Sequence, residues 1–160
     1  MKQKMKTIII GLGNPILGDD AAGCRVAEAV EEQIKAMNCQ DVEVEQFYRG
    51  GIALMERLIG YDQALIIDTV QGMGGPIGKI RSLTMDDLPT QTVDSPHDST
   101  LKSALELGRQ LGEKLPDKID IIAVEIKSEF EFSEQLTPPV AEALPLLVNM
   151  ALEWVNRQPR

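Results

Sequence analysis

Apolar residues along this chain follow three different patterns, and each predicts a different element. Thr7 to Ile10 is a short Ile-rich run that stops at Gly11, and Gln63-Ala64-Leu65-Ile66-Ile67-Asp68 is a second run of the same kind. Apolar runs without polar alternation mark strands covered on both faces, as in the middle of a parallel sheet. Val42-Glu43-Val44-Glu45-Gln46-Phe47 alternates at period two instead, which predicts a half-exposed edge strand. From Ala21 to Met37 the period changes again. Val26, Ala29, Val30 and Ile34 recur at helical spacing, and Glu28, Glu31, Glu32 and Lys35 are left for the wet face.

Downstream, Gly50-Gly51 opens a short helix through Leu54, Met55, Leu58 and Ile59. The connection Thr69 to Pro76 is too short to hold a crossover helix, so strand four, Ile77 to Leu83, is expected to run antiparallel to strand three. That strand ends at the amino edge of the sheet. The polar segment Thr84 to Ser95 then returns the chain to the carboxyl edge, a distance that about twelve extended residues at ~3.3 Å each can span. It delivers Ser95-Pro96-His97 to a helix over Ser99 to Lys114, with Leu101, Ala104, Leu105, Gly108 and Leu111 as its apolar face and Pro116 as its stop. Lys118 to Val124 is the last strand, followed by a loop over Glu125 to Thr137. Thr137-Pro138-Pro139, an N-cap with prolines in the first turn, starts a final helix reaching about Trp154. The order β-α-β-α-β-β-α-β-α predicts an α/β fold. Its form is a three-layer sandwich, a five-stranded, mostly parallel sheet with strand four antiparallel, flanked by helices. No linker or repeat interrupts it, so residues 1–160 read as one domain.

Charge narrows the ligand class. With 25 acidic against 16 basic side chains, net −9, the chain lacks the basic footprint that a nucleic-acid partner needs, and a metal ion or a basic partner suits it better. The apolar run near the start is far shorter than a secretory core or a membrane span, so a cytoplasmic protein is expected. Two cysteines, Cys24 and Cys39, form neither a disulfide framework nor a close metal pair and read as thiols.

The candidate chemistry sits where strands end. The loop Gly11-Leu12-Gly13-Asn14-Pro15-Ile16-Leu17-Gly18 runs into Asp19-Asp20, placing two carboxylates where the first strand feeds the first helix. Open α/β sheets bind their ligands at that carboxyl edge. Asp68, at the end of strand three, and His97, before the third helix, are expected at the same edge. Together Asp20, Asp68 and His97 offer two oxygen donors and one imidazole nitrogen, the three-ligand set of a working metal site. Each residue also has a plainer role open to it. Asp19 and Asp20 can cap helix one, worth roughly 0.5 to 2 kcal/mol; Asp68 can order a turn, and His97 can hydrogen-bond at a helix start. A dinucleotide loop is disfavoured, because the third glycine position of G-x-G-x-x-G is Ile16 and Asp19-Asp20 would oppose a pyrophosphate.

Gly11-Leu12-Gly13-Asn14-Pro15 is similar to the opening of peptidyl-tRNA hydrolases, which share a broadly related architecture. Those enzymes place a histidine soon after this segment and carry a basic face for tRNA, where this chain has Asp19-Asp20 and net −9. A closer resemblance, covering nearly the whole chain, is to the hydrogenase maturation endopeptidases. It rests on G-L-G-N followed by L-G-D-D-A-A-G at 11 to 23, Gly51 before Leu54-Met55, Ile66-Ile67-Asp68, Ser95-Pro96-His97, and Leu136-Thr137-Pro138. That family trims the C-terminal extension from nickel-containing hydrogenase large subunits. The resemblance implies Asp20, Asp68 and His97 as metal ligands, catalysis by the same three, and a hydrogenase large-subunit precursor as partner. It also implies nickel brought by that precursor rather than a resident zinc, and no H-E-x-x-H is present. Departures are small: Ala21-Ala22 stands where many members have Gly and a branched residue, and Asp20 is one methylene shorter than the Glu of some members. Asp19 is expected to cap the first helix or to orient a ligand. Thr69 to Gly75 and Arg49-Gly50-Gly51 are the nearest candidates for docking the precursor. A protein that senses nickel in the precursor without cleaving it is the non-catalytic alternative.

Overall fold

The two apolar runs become neighbouring central strands because their side chains have helices to meet on both sides of the sheet. The computed structural model describes residues 3–87, 100–127 and 131–159. Its elements in chain order are β1 (Thr7–Leu12), α1 (Ala22–Ala36), β2 (Val42–Phe47), α2 (Gly51–Leu58) and β3 (Gln63–Val70), then β4 (Ile80–Thr84), α3 (Leu101–Gln110), β5 (Lys118–Glu125) and α4 (Pro138–Arg157). Short 3-10 turns lie at Gly18–Ala21 and Met85–Asp87. The strands form one sheet in the order β2-β1-β3-β5-β4. β1, β2, β3 and β5 are parallel and β4 runs antiparallel beside β5. The mostly parallel sheet with an antiparallel fourth strand is thus as expected, and so is the edge position of β2.

Successive strand residues point to opposite faces, and here both faces are covered. Ile9, Leu65, Ile67, Ile122 and Val124 pack under α1 and α4, against Val26, Val30, Val140, Leu147 and Val155. Ile8, Ile10, Ala64, Ile66 and Ile121 pack against Leu54, Met55 and Leu58 of α2 and Ala104 and Leu105 of α3. This is why β1 and β3 show no polar alternation: each residue of Ile8-Ile9-Ile10 is fully buried, whichever way it faces. Helix α1 lies directly on the backbone of the sheet. A Cβ on Gly23 would sit 2.2 Å from the Leu12 carbonyl oxygen and 2.6 Å from that of Ile67, and one on Gly11 would sit 2.2 Å from the Gly23 oxygen. Only a pair of glycines permits that approach.

Several boundaries differ from the sequence expectation for local reasons. β3 continues two residues beyond Asp68, to Val70, because β5 extends alongside it and pairs Val70 with Glu125. β4 begins at Ile80 rather than Ile77, since residues 76–79 close a turn in which the Lys79 N–H donates to the Pro76 carbonyl. Helix α3 stops at Gln110, ahead of Pro116. Gly112 adopts a left-handed φ of 83°, and the Glu113 N–H bonds back to the Gly108 carbonyl in a helix-terminating turn. Among the described residues no helix is long and apolar enough to cross a membrane.

The strand order has one consequence for function. From β1 the chain goes through α1 to β2 on one side, then returns through α2 to β3 on the other side of β1. β1 and β3 are therefore the strands between which the winding reverses. A crevice opens at the carboxyl ends of such a pair.

Candidate active site

The residues that follow β1 are folded back over that crevice. Asn14 begins a tight turn in which its side-chain oxygen accepts the Ile16 N–H at 3.1 Å, and its carbonyl accepts the Leu17 N–H at 3.2 Å. The Gly18–Ala21 turn then places two adjacent carboxylates. Asp20 points inward. Its Oδ2 accepts the backbone N–H of Asn14 at 2.9 Å, and its Oδ1 accepts the Thr69 hydroxyl at 3.4 Å. It thereby bridges the β1 loop to the residue next to Asp68.

Asp68 enters from β3, with Oδ1 accepting the Thr69 N–H at 2.7 Å. Burial pushes its carboxyl up from the ordinary 3.8 to about 7; the nearby Asp20 charge adds to the rise, and the Thr69 N–H opposes it. Two carboxylates from separate connections thus share a desolvated crevice at the switch point. Such a pair holds either a proton or a cation. Its hard oxygen donors, and the repulsion between them that a positive charge relieves, fit a divalent metal ion.

Cys24, on the first turn of α1, borders the pair without joining it. Its Sγ donates to the Gly13 carbonyl at 3.3 Å. Burial raises the thiol's pKa first, and the charges of Asp20 and Asp68 raise it further, against a small opposing effect of Arg25. The sulfur is kept as a thiol, the form that neither ligates metal nor attacks carbonyls well.

Asp19 does not cap the helix it precedes. Neither the 3-10 turn nor α1 has a side-chain cap. Instead, Asp19 Oδ1 accepts the Thr137 N–H and Oδ2 accepts the Thr137 hydroxyl, each at 2.7 Å. Thr137 is the N-cap of α4, 118 residues away. Both partners lie in stretches singled out from the sequence, but nothing in the sequence pairs them.

A second buried group reads in the sequence only as the start of a loop. Glu125, the last residue of β5, is 3% exposed. Its Oε1 accepts the Met73 N–H at 3.1 Å and its Oε2 accepts Arg81 Nε at 3.4 Å, while the Arg81 guanidinium also donates to the Gly74 carbonyl. The glycine-rich connection after Asp68 is therefore held in shape from beneath by a buried ion pair.

The structure brings Asp20 and Asp68 together. His97 lies outside the described residues, so the third expected ligand is not located. Among the described residues no group of three His, Cys, Asp or Glu side chains is gathered to hold a metal.

Comparison with known proteins points in one direction. A family model described as hydrogenase maturation protease, HycI, matches residues 49–154. The Hydrogenase 2 maturation protease of Escherichia coli K12 is 29% identical over 153 residues, covering 94% of this chain and 88% of that protein. The hydrogenase maturating endopeptidase HybD from E. coli superposes with a TM-score of 0.75 at 25% identity, over 95% of this chain and 93% of its own. A [NiFe] hydrogenase maturation protease, HycI from Thermococcus kodakarensis KOD1, shares the fold at a TM-score of 0.73 and 22% identity, with 96% and 94% covered.

Proposed function

Because the chain belongs to the hydrogenase maturation protease family, we propose that it is the endopeptidase that trims the C-terminal extension from a hydrogenase large-subunit precursor already loaded with nickel. The observation that carries this reading is the meeting of Asp20 and Asp68 in the crevice between β1 and β3. Asp20, Asp68 and His97 are the residues assigned to the precursor-borne nickel ion, and cleavage in the cytoplasm follows insertion of that ion. The ion supplies Lewis-acid polarisation of the scissile carbonyl or of the attacking water.

The chain's own groups prepare the encounter. The Asn14 N–H and the Thr69 hydroxyl aim the Asp20 carboxylate. Asp68, with its pKa near 7, gives up its proton readily once a positive charge arrives. The desolvated crevice strengthens each of these interactions relative to open water. Docking of the precursor falls to the surfaces around the edge, with the connection after β3 fixed by Glu125 and Arg81 as the nearest wall.

The test is the intact mass of a cognate large-subunit precursor after incubation with this protein, with and without prior nickel loading. Loss of a C-terminal peptide from the loaded precursor alone is the expected result. Cleavage regardless of nickel would remove the metal from the mechanism. An unchanged mass of a loaded, verified partner would make the protein a nickel-sensing binder instead. The peptidyl-tRNA hydrolase alternative predicts metal-free ester cleavage and salt-sensitive RNA binding, which the net charge of −9 does not favour.

A further inference from the structure

We propose that Asp19 is a positioning residue, which sets the direction in which Asp20 presents its carboxylate by locking onto Thr137 at the head of α4. This rests on the reading of Asp20 as a ligand, and the argument for it is geometric. Asp19 and Asp20 share one four-residue 3-10 turn, Gly18–Ala21. At three residues per turn, neighbouring side chains diverge by about 120°. The two carboxylates therefore leave the turn in different directions, Asp19 toward α4 and Asp20 toward the crevice. Both oxygens of Asp19 are occupied by the N–H and hydroxyl of Thr137, so the outward direction is fixed at two points. Asp20 is left facing Asn14 and Thr69.

The turn has no other side-chain anchor at its own helix, since neither it nor α1 is capped by a side chain. It is held from outside by the segment before α4. The Gly18 N–H donates to the Ser133 carbonyl at 2.7 Å, the Ser133 N–H donates to the Ile16 carbonyl at 2.9 Å, and the Arg25 guanidinium bonds the Glu134 carbonyl. The first two are backbone ties and the third comes from a side chain of α1, and a change of side chain at 19 leaves all three in place. The two Asp19 bonds are the side-chain ties that run from the turn to the head of α4. Asp19 also brings negative charge to the N-terminus of α4, so a purely stabilising role is the rival to exclude.

Amide hydrogen exchange read by NMR separates the two, because the Asn14 N–H is bonded to the Asp20 carboxylate and reports where that carboxylate points. If Asp19 positions Asp20, then Asp19→Ala and Thr137→Val speed exchange at Asn14 by a factor on the order of ten, beyond any change at the core amides of β1 and β3. On nickel-loaded precursor the same variants lose about tenfold or more in kcat, with KM held within about twofold. Thr137→Ser, which keeps the hydroxyl, recovers most of both effects, and the double variant is no worse than Asp19→Ala. If Asp19 only steadies α4, exchange rises at Val140, Ala141 and Glu142, the first amides of that helix after its two prolines, while Asn14 follows the core, and kcat tracks stability. That result overturns the proposal. A wild-type protein that cleaves no precursor would refute the protease reading, and the exchange comparison would still decide whether Asp19 directs Asp20.

Discussion

Replacing Asp68 by Asn should make the folded protein more stable while making it a worse enzyme. The folded carboxyl has a pKa of about 7 against an ordinary value of 3.8, a difference of about three units, or about 4 kcal/mol of unfavourable charge burial at pH 8. Because the folded value is the higher one, the folded state binds more protons than the unfolded state between about pH 4 and 7. Stability from this group is fully present below pH 4 and is lost as pH rises through 7. Asn carries no proton to lose, and its side-chain oxygen can still accept the Thr69 N–H that now reaches Asp68 Oδ1. The other titrating groups are common to both proteins and largely cancel in the difference. The advantage of Asn over Asp should therefore widen by about 2 to 3 kcal/mol between pH 5 and pH 8. Urea unfolding of both proteins at pH 5, 6.5 and 8, with chelator present so that no metal holds the carboxylates, measures it. A stability difference independent of pH, or an Asn variant less stable at pH 8, would refute the account of Asp68. Cleavage of nickel-loaded precursor by the same variant should fall sharply even as its stability rises.

Gly23→Ala should cost at least about 3 kcal/mol, because the new Cβ would lie 2.2 Å from the Leu12 carbonyl oxygen, on backbone that has no room to yield; thermal denaturation reads the loss, and a variant of wild-type stability would contradict the seating of α1. Arg81→Met should destabilise by about 3 to 5 kcal/mol by leaving Glu125 charged and buried, and adding Glu125→Gln should recover part of that loss in a double-mutant cycle. Strict additivity of the two changes would mean that the pair is not coupled.

What the sequence made legible follows from how local each cause is. β1 and β3 could be read because burial on both faces leaves an unbroken apolar run, and β2 because exposure on one side leaves an alternation. Helix α1 was legible to within a residue at each end from the spacing of Val26, Val30 and Ile34. The edge shared by Asp20 and Asp68 was legible because helices join strands one, two and three, which makes those strands parallel and leaves the carboxyl ends of the first and third on one side of the sheet. The rest depends on partners far away in sequence. Asp19 beside a helix start looks like its cap, and only the tertiary fold reveals that its hydrogen bonds run to Thr137. Glu125 reads as the first polar residue of a loop because its neutralising partner, Arg81, sits on a strand made much earlier. The sequence carries α3 on to Lys114 because Pro116 is a visible stop, whereas a left-handed Gly112 ends the helix only when the backbone takes that conformation.

The bond between Asp19 and Thr137 also orders events in time. A chain synthesised from its N-terminus makes Asp19 118 residues before Thr137. The nascent polypeptide can assemble β1, α1, β2 and β3 while the turn that carries Asp20 still lacks its outer clasp. That clasp closes only when the last helix arrives. Asp20 thus takes its final direction only after residue 137 has been made, and a chain truncated before Thr137 keeps Asp20 and Asp68 but lacks the clasp that aims Asp20.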